Sequence, residues 1–227
     1  MKFDKYPATL VVGPSGTGKS TSIENLDPAK TCIFNVEGKA LPFKKANEFK
    51  YHAVIDPNQP LKLIGKMRGL LDQKHNYIEV VVVEGFDKWS QLLLEWTTAE
   101  TKNHKNRFER YSMHNFWILE FFKLLKELKS SGRYVFVIGH DDIVETHSGS
   151  TFRAMSVNGQ QWSGKCEREV EMVLFTEVER RDNENHYYFQ TQSDGDTTAK
   201  TPKGMFDEYR IENDLAKVLQ GIQNYYS

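Results

Sequence analysis

An α/β fold is predicted: a mostly parallel sheet flanked by helices, closed at the C-terminal end by an antiparallel hairpin and a helix. Three observations predict it. Short β-rich apolar runs alternate with helical patterns through the first 140 residues. The first of those runs flows directly into a Gly-rich loop. Two alternating segments, 170–180 and 186–192, are joined by Asp182-Asn183-Glu184-Asn185, the composition of a hairpin turn.

In chain order, 8–12 is apolar throughout and reads as a buried strand. A helix is predicted at 19–25, stopping near Asp27-Pro28 because a residue before proline disfavours helix. Strands follow at 31–36 and 51–55. Residues 58–75 carry Leu61, Ile64, Leu70 and Leu71 at broken helical spacing. The run 78–83, Ile-Glu-Val-Val-Val-Val, is β-branched almost throughout and suits the centre of a parallel sheet. Trp89, Leu92, Leu93 and Trp96 mark the next helix. A longer one at 112–129 places Phe116, Leu119, Phe122 and Leu125 on one face and ends at Ser130-Ser131-Gly132. Another buried strand, 134–139, hands over to His140. Residues 143–165 have weak periodicity and read as a long functional loop. Leu215, Val218, Leu219 and Ile222 complete a terminal helix, with Asn213 available as its cap.

The chain has 227 residues, room for one α/β domain over 1–227 and not for a second of ordinary size. Its 30 basic and 31 acidic residues nearly cancel, so any polyanion site is a local patch. Cys32 and Cys166 lie in no metal-ligand spacing, which suits a reducing compartment. The first residues carry no apolar signal region and no run is long enough to span a bilayer, so a cytoplasmic protein is expected.

The chemistry centres on Gly13-Pro14-Ser15-Gly16-Thr17-Gly18-Lys19-Ser20, which matches G-x-x-x-x-G-K-[ST] between a strand and a helical pattern. The glycines let backbone N–H groups turn toward phosphate oxygens. Lys19 would reach the β- and γ-phosphates, Ser20 would place its hydroxyl on Mg²⁺, and Gly13 to Thr21 together form the nucleotide-binding segment, followed by the positive N-terminal end of the helix. Phosphoryl chemistry also needs an acid beside the metal, and Glu84 ends the apolar run 80–83, set against a plain strand-end surface acid; Asp87 is its substitute, or a helix cap. Glu37, at the end of the 31–36 strand, is a candidate general base, set against a plain solvated loop acid. His140 ends a buried strand where it could sense the γ-phosphate, although a lone histidine is more often structural. Lys200 and Lys203 flank a proline and form either an exposed turn or positive charge for a phosphate held by a neighbouring subunit. Lys102, Lys105, Arg107 and Arg110, with Phe108 and Tyr111, combine phosphate contacts with base-stacking rings as single-strand binders do; a solvated helix end is the alternative.

Taken together and in this order, these positions resemble the RecA-like P-loop ATPase core, and in particular the small phage-encoded RecA-like ATPases associated with single-strand annealing and recombination. The likeness runs from about Pro7 to Phe206 in order of motifs. It implies that the strand ending at Glu37 carries the catalytic glutamate, and that Val-Val-Val-Val-Glu from Val80 is the metal-binding strand, with Glu84 where an aspartate is usual. It implies that His140 ends the sensor strand, and that Lys200 and Lys203 are the lysines that reach ATP across a filament or ring interface. The implied activity is Mg²⁺-dependent ATP hydrolysis coupled to single-stranded DNA by a homo-oligomer, with DNA loops at 102–110 and 141–165. Two other readings stay open. The Pro14-Ser15 loop is also close to that of guanylate-type kinases, and a nucleotide-dependent assembly switch would fit Glu84. Guanine specificity is disfavoured, because no Asn-Lys-x-Asp occurs.

Overall fold

The computed structural model describes residues 5–106, 108–146 and 148–227. Ten strands are labelled in chain order. β1 (Ala8–Val12), β2 (Thr31–Asn35), β3 (Tyr51–Val54), β4 (Val80–Glu84), β5 (Tyr134–Gly139) and β8 (Met172–Arg181) run parallel within one sheet. β9 (Glu184–Gln190) returns antiparallel to β8, and β10 (Arg210–Glu212) antiparallel to β9. The sheet order is β10-β9-β8-β1-β5-β4-β2-β3. This is the predicted architecture, with the hairpin and terminal helix in place. Asp182 and Asn183 both take positive φ at the β8–β9 turn, which Asp and Asn tolerate better than most residues.

The central strands are apolar on both sides because both sheet faces are covered. Leu10, Val12, Val81, Val83, Val135 and Val137 point to one face, where α1 (Lys62–Gly69), α2 (Phe86–Glu100) and α3 (Glu109–Ser130) pack. Val11, Val80, Val82, Phe136 and Ile138 point to the other, against α4 (Leu215–Tyr225) and the segment after the Gly-rich loop. Phe86, Trp89, Phe121 and Phe122 are fully buried with neighbouring ring centroids 5.0–5.9 Å apart. Truncating any one of these to alanine costs about 3–5 kcal/mol.

Several expectations need correction. The helix predicted at 19–25 is only a 3-10 turn, Thr21–Ile23. Asp27-Pro28 stops the run early, and the Ser22 hydroxyl donates back to the Lys19 carbonyl at 2.6 Å, competing with the helical backbone. The 58–75 helix shortens to α1, because Asp56 accepts from the Asn58 backbone N–H and the Gln59 side chain and holds a turn ahead of Pro60. The 143–165 loop is partly a hairpin of β6 (Asp141–Glu145) and β7 (Thr151–Met155). β6 buries no residue and β7 buries only Ala154 and Met155 at its end, so the pair carries no apolar alternation to read. α4 is capped by Asp214, whose side chain accepts from the Ala216 N–H at 2.8 Å, and not by Asn213.

The largest difference is in α3. Phe122 and Leu125 are buried as expected, but Phe116 is 50 % and Leu119 40 % exposed. The covered stripe runs instead through His114, Ile118, Phe121, Leu125 and Leu128, and Phe116 and Leu119 lie on another face of the helix. α3 has 22 residues, about 33 Å of helix, and leads into β5, whose six residues span about 20 Å. α3 therefore begins well beyond the C-terminal edge of the sheet. α2 rises from that edge and packs antiparallel to it: Phe86 meets Phe121 and Phe122, while the Ser90 carbonyl lies 3.2 Å from His114 Nε2. The two helices form a projecting hairpin. Among the described residues no helix is long and apolar enough to cross a membrane.

Candidate active site

Strand register gathers the site at one edge of the sheet. Val12 lies opposite Gly139 on one side and Phe175 on the other, Glu84 opposite Ile138, and Asn35 opposite Glu84. The C-terminal ends of β1, β2, β4 and β5 therefore open at one level, the edge where parallel sheets bind ligands. A cleft of about 480 Å³ lies there, lined by the Gly-rich loop, Glu37, Glu84 and His140.

The loop is built with little slack. A Cβ on Gly13 would stand 1.9 Å from Thr176 Oγ1, so only glycine lets β1 turn beside β8. Thr176 is hydrogen-bonded to Thr17 Oγ1 at 2.5 Å, and Thr17 donates in turn to the Pro14 carbonyl at 2.7 Å. Gly16 and Gly18 take φ of +79° and +88°, the left-handed region. Gly18 packs under Tyr187 and Asn213, where a Cβ would meet them at 3.1 and 3.2 Å. Thr176, Tyr187 and Asn213 escape sequence reasoning because they reach the loop only through strand register and the C-terminal return of the chain.

Lys19 is buried, and its ammonium donates to the carbonyls of Gly13 at 2.7 Å and Pro14 at 2.6 Å. Burial pushes its pKa below the ordinary lysine value, while Asp87, Asp141, Glu84 and Glu37 oppose that shift. Ser20 donates its hydroxyl to Glu84 Oε1 at 2.6 Å. Glu84 is itself buried; desolvation raises its pKa, the Ser20 bond lowers it, and the charges of Glu37 and Asp87 raise it further.

Glu37 sits on a turn shaped by Asn35, whose side chain accepts from the Gly38 N–H and donates to the Lys39 carbonyl, both at 2.8 Å. Glu37 also pairs with Lys39 at 2.8 Å. Gly85, at φ +91°, lets Glu37 lie against β4: an added Cβ would be 2.9 Å from Glu37 Cγ. His140 is bound to Asp87 through both its backbone N–H and its ring Nδ1. Ligand atoms of Glu37, Asp87 and His140 all lie within 4.8 Å of one another. Among the residues read from sequence as chemical, Lys19, Ser20, Glu37, Glu84 and His140 thus share one cleft, and Ser15 and Thr21 lie on its exposed rim.

The other predicted groups lie elsewhere. The Lys200 ammonium donates to the carbonyls of Glu167 at 2.6 Å and Val170 at 2.7 Å within its own chain, and Lys203 is exposed on the next turn. Lys102 and Lys105 are exposed between α2 and α3, beside Phe108, which is 74 % exposed. The Arg110 guanidinium lies 4.7 Å from the Tyr111 ring centroid. Arg107 is outside the described residues. In the second predicted DNA loop Arg153 is bound to Asp141 at 2.7 Å. Burial pushes the Cys32 thiol up to about 12 and raises that of Cys166, consistent with inert thiols.

Hard, oxygen-only donors such as a serine hydroxyl and a carboxylate suit Mg²⁺, and Ser20 and Glu84 offer both at one point beneath the phosphate loop. The arrangement can hold a polyphosphate by backbone N–H groups and Lys19, with carboxylates beside its outer end.

Known proteins can be set beside this geometry. No curated protein matches the chain. Among solved structures, a RadB recombinase is similar at 14 % identity and a TM-score of 0.49, over 81 % of this chain and 80 % of that one. A KaiC-like protein, PH0186 from Pyrococcus horikoshii OT3, is similar at 14 % identity and a TM-score of 0.47, over 88 % of each chain. The AAA domain family AAA_24 matches residues 5–202, which include the whole Gly-rich loop, Glu37, Glu84 and His140, and the chain belongs to that family.

Proposed function

We propose that the protein is a Mg²⁺-dependent ATPase that couples its nucleotide state to single-stranded DNA as a homo-oligomer. The observation that carries the hydrolytic half is the 2.6 Å bond between Ser20 and Glu84 directly under the phosphate loop. Two oxygen donors from segments 64 residues apart meet where a nucleotide's metal is needed. Mg²⁺ held by Ser20 and Glu84 would neutralise charge on the phosphate oxygens. Lys19 would exchange its loop carbonyls for phosphate, its charge stabilised there by the incoming anion. Glu37, on a turn fixed by Asn35, would orient a water and take its proton. His140 would stand at the outer end of the phosphates.

The DNA-binding half rests on the α2–α3 tip, where Lys102, Lys105 and Arg110 accompany the exposed rings of Phe108 and Tyr111. Of the two lysines read as reaching a neighbouring subunit's nucleotide, Lys203 is the one exposed for that task. The test is steady-state phosphate release from ATP and Mg²⁺, with and without single-stranded DNA, at one fixed low salt concentration. DNA-stimulated release that disappears in Lys19→Ala is the expected result. ATP binding without release would remove the hydrolytic reading, and release indifferent to DNA would remove the coupling.

A further inference from the structure

We infer that Asp87 is a positioning residue that holds the His140 ring in one tautomer, with Nδ1 protonated and Nε2 left bare for the nucleotide cleft. The inference deepens the hydrolytic reading above and rests on it for its catalytic consequence, but not for its structural one. Asp87 stands in the first turn of α2, three residues beyond Glu84. Its Oδ1 accepts from the His140 backbone N–H at 3.1 Å, and its Oδ2 lies 3.0 Å from His140 Nδ1. A carboxylate only accepts, so the proton between them belongs to Nδ1.

The grip is built into the end of β5. At Gly139 an added Cβ would lie 2.5 Å from Met155 Sδ and 3.2 Å from Asp87 Oδ1. Met155 from β7 and Asp87 from α2 both close on the space a Cβ would take, so a side chain there would displace Met155 and crowd the carboxylate. The glycine before His140 is thus part of the same device. His140 lines the cleft and one of its ring nitrogens lies within 4.8 Å of a Glu37 carboxylate oxygen, so the nitrogen that Asp87 does not hold is left to the cleft. With Nε2 bare, the ring can accept a hydrogen bond at the outer end of the phosphates, while the proton of the attacking water passes to Glu37 and from there to the departing phosphate. Asp87→Asn would keep the acceptor for the backbone N–H yet offer an amide N–H to Nδ1, which forces the opposite tautomer.

Long-range ¹H–¹⁵N NMR of histidine-labelled protein tests this, with the His140→Gln protein used to assign the signal. In the wild-type protein Nδ1 of His140 should carry the proton; in Asp87→Asn the neutral ring should carry it on Nε2. Adding Mg²⁺ and a non-hydrolysable ATP analogue should move the wild-type Nε2 resonance. In kinetics, Asp87→Asn should lower kcat by about 10–100-fold while leaving analogue affinity within about threefold. A bare Nδ1 in the wild-type protein, a measurement that needs no variant to fold, would overturn the assignment, as would an unchanged tautomer or unchanged kcat in Asp87→Asn. If neither protein releases phosphate, the hydrolytic reading has failed, while the tautomer measurement still decides the role of Asp87.

Discussion

Lys19 and Lys200 each place a half- or fully buried ammonium on two backbone carbonyls of their own chain, yet the two settings differ. Around Lys19 stand four carboxylates, and the ammonium borders an open cleft. Around Lys200 the carbonyls of Glu167 and Val170 belong to a turn that the lysine closes, and its backbone bonds with Val173 in both directions. Burial lowers the pKa of both. What separates them is the alternative partner: a phosphate can displace the Gly13 and Pro14 carbonyls at Lys19, whereas releasing Lys200 strands two carbonyls beside a buried strand. The same bond count describes a poised cation in one place and a strut in the other.

That contrast can be broken by substitution. Lys19→Ala should reduce ATP turnover by at least about 10²-fold if, as proposed, its charge meets the phosphate charge that develops; phosphate release measures it, and near-normal turnover would make Lys19 a second strut. Glu37→Gln should leave ATP binding intact and cut single-turnover hydrolysis by about 10²-fold or more, as expected for loss of a general base. Lys200→Met should lower stability by roughly 1–3 kcal/mol for each carbonyl left unsatisfied, read by denaturant melts. Loss of turnover in a Lys200→Met protein that stays folded would instead place this lysine at a nucleotide.

Glu84 sharpens the same theme through pH. Its folded pKa lies above the unfolded value, so below the unfolded value both states hold the proton and it contributes nothing. As pH rises past that value the unfolded state loses the proton first, and the fold loses stability until the folded group also ionises. Glu84→Gln should therefore be more thermostable than wild type near pH 7 but not near pH 4, with about 2–4 °C expected per kcal/mol in a chain of this size, while Mg²⁺-dependent turnover is lost. The smallest effect expected is at the α2–α3 tip. Lys102→Ala with Lys105→Ala should flatten the salt dependence of single-stranded DNA binding by about 1.4 in the log–log slope, read by fluorescence anisotropy.

How far the sequence reached follows the distance between cooperating residues. The Gly-rich loop is contiguous, and its spacing alone predicted the cleft. Glu37, Glu84 and His140 were found because each ends an apolar strand, and ends of parallel strands gather at one edge. Thr176 was not, because its hold on Gly13 depends on the register of β8 against β1, across 163 residues of chain. Nor was the grip of Asp87 on His140, which depends on how α2 leaves the sheet. The misread face of α3 has a related cause: spacing reveals candidate stripes but not which one the neighbours cover, and the covered stripe is that of His114, Ile118 and Phe121, not that of Phe116 and Leu119.

The helix that carries Asp87 also carries Lys102 just past its other end. α2 is 15 residues long, about 22 Å, and the two helices of its hairpin lock together through Phe86, Trp89 and Phe121. Its inner end is thus gripped at the cleft, while its outer end leads past the buried Thr97 and Thr101 to the exposed Lys102 and Lys105, the proportions of a lever with a short arm at the cleft. A tilt of about 10° about the first turn would carry the basic tip through about 4 Å, so displacements too small to matter at the nucleotide become large where a polymer would lie.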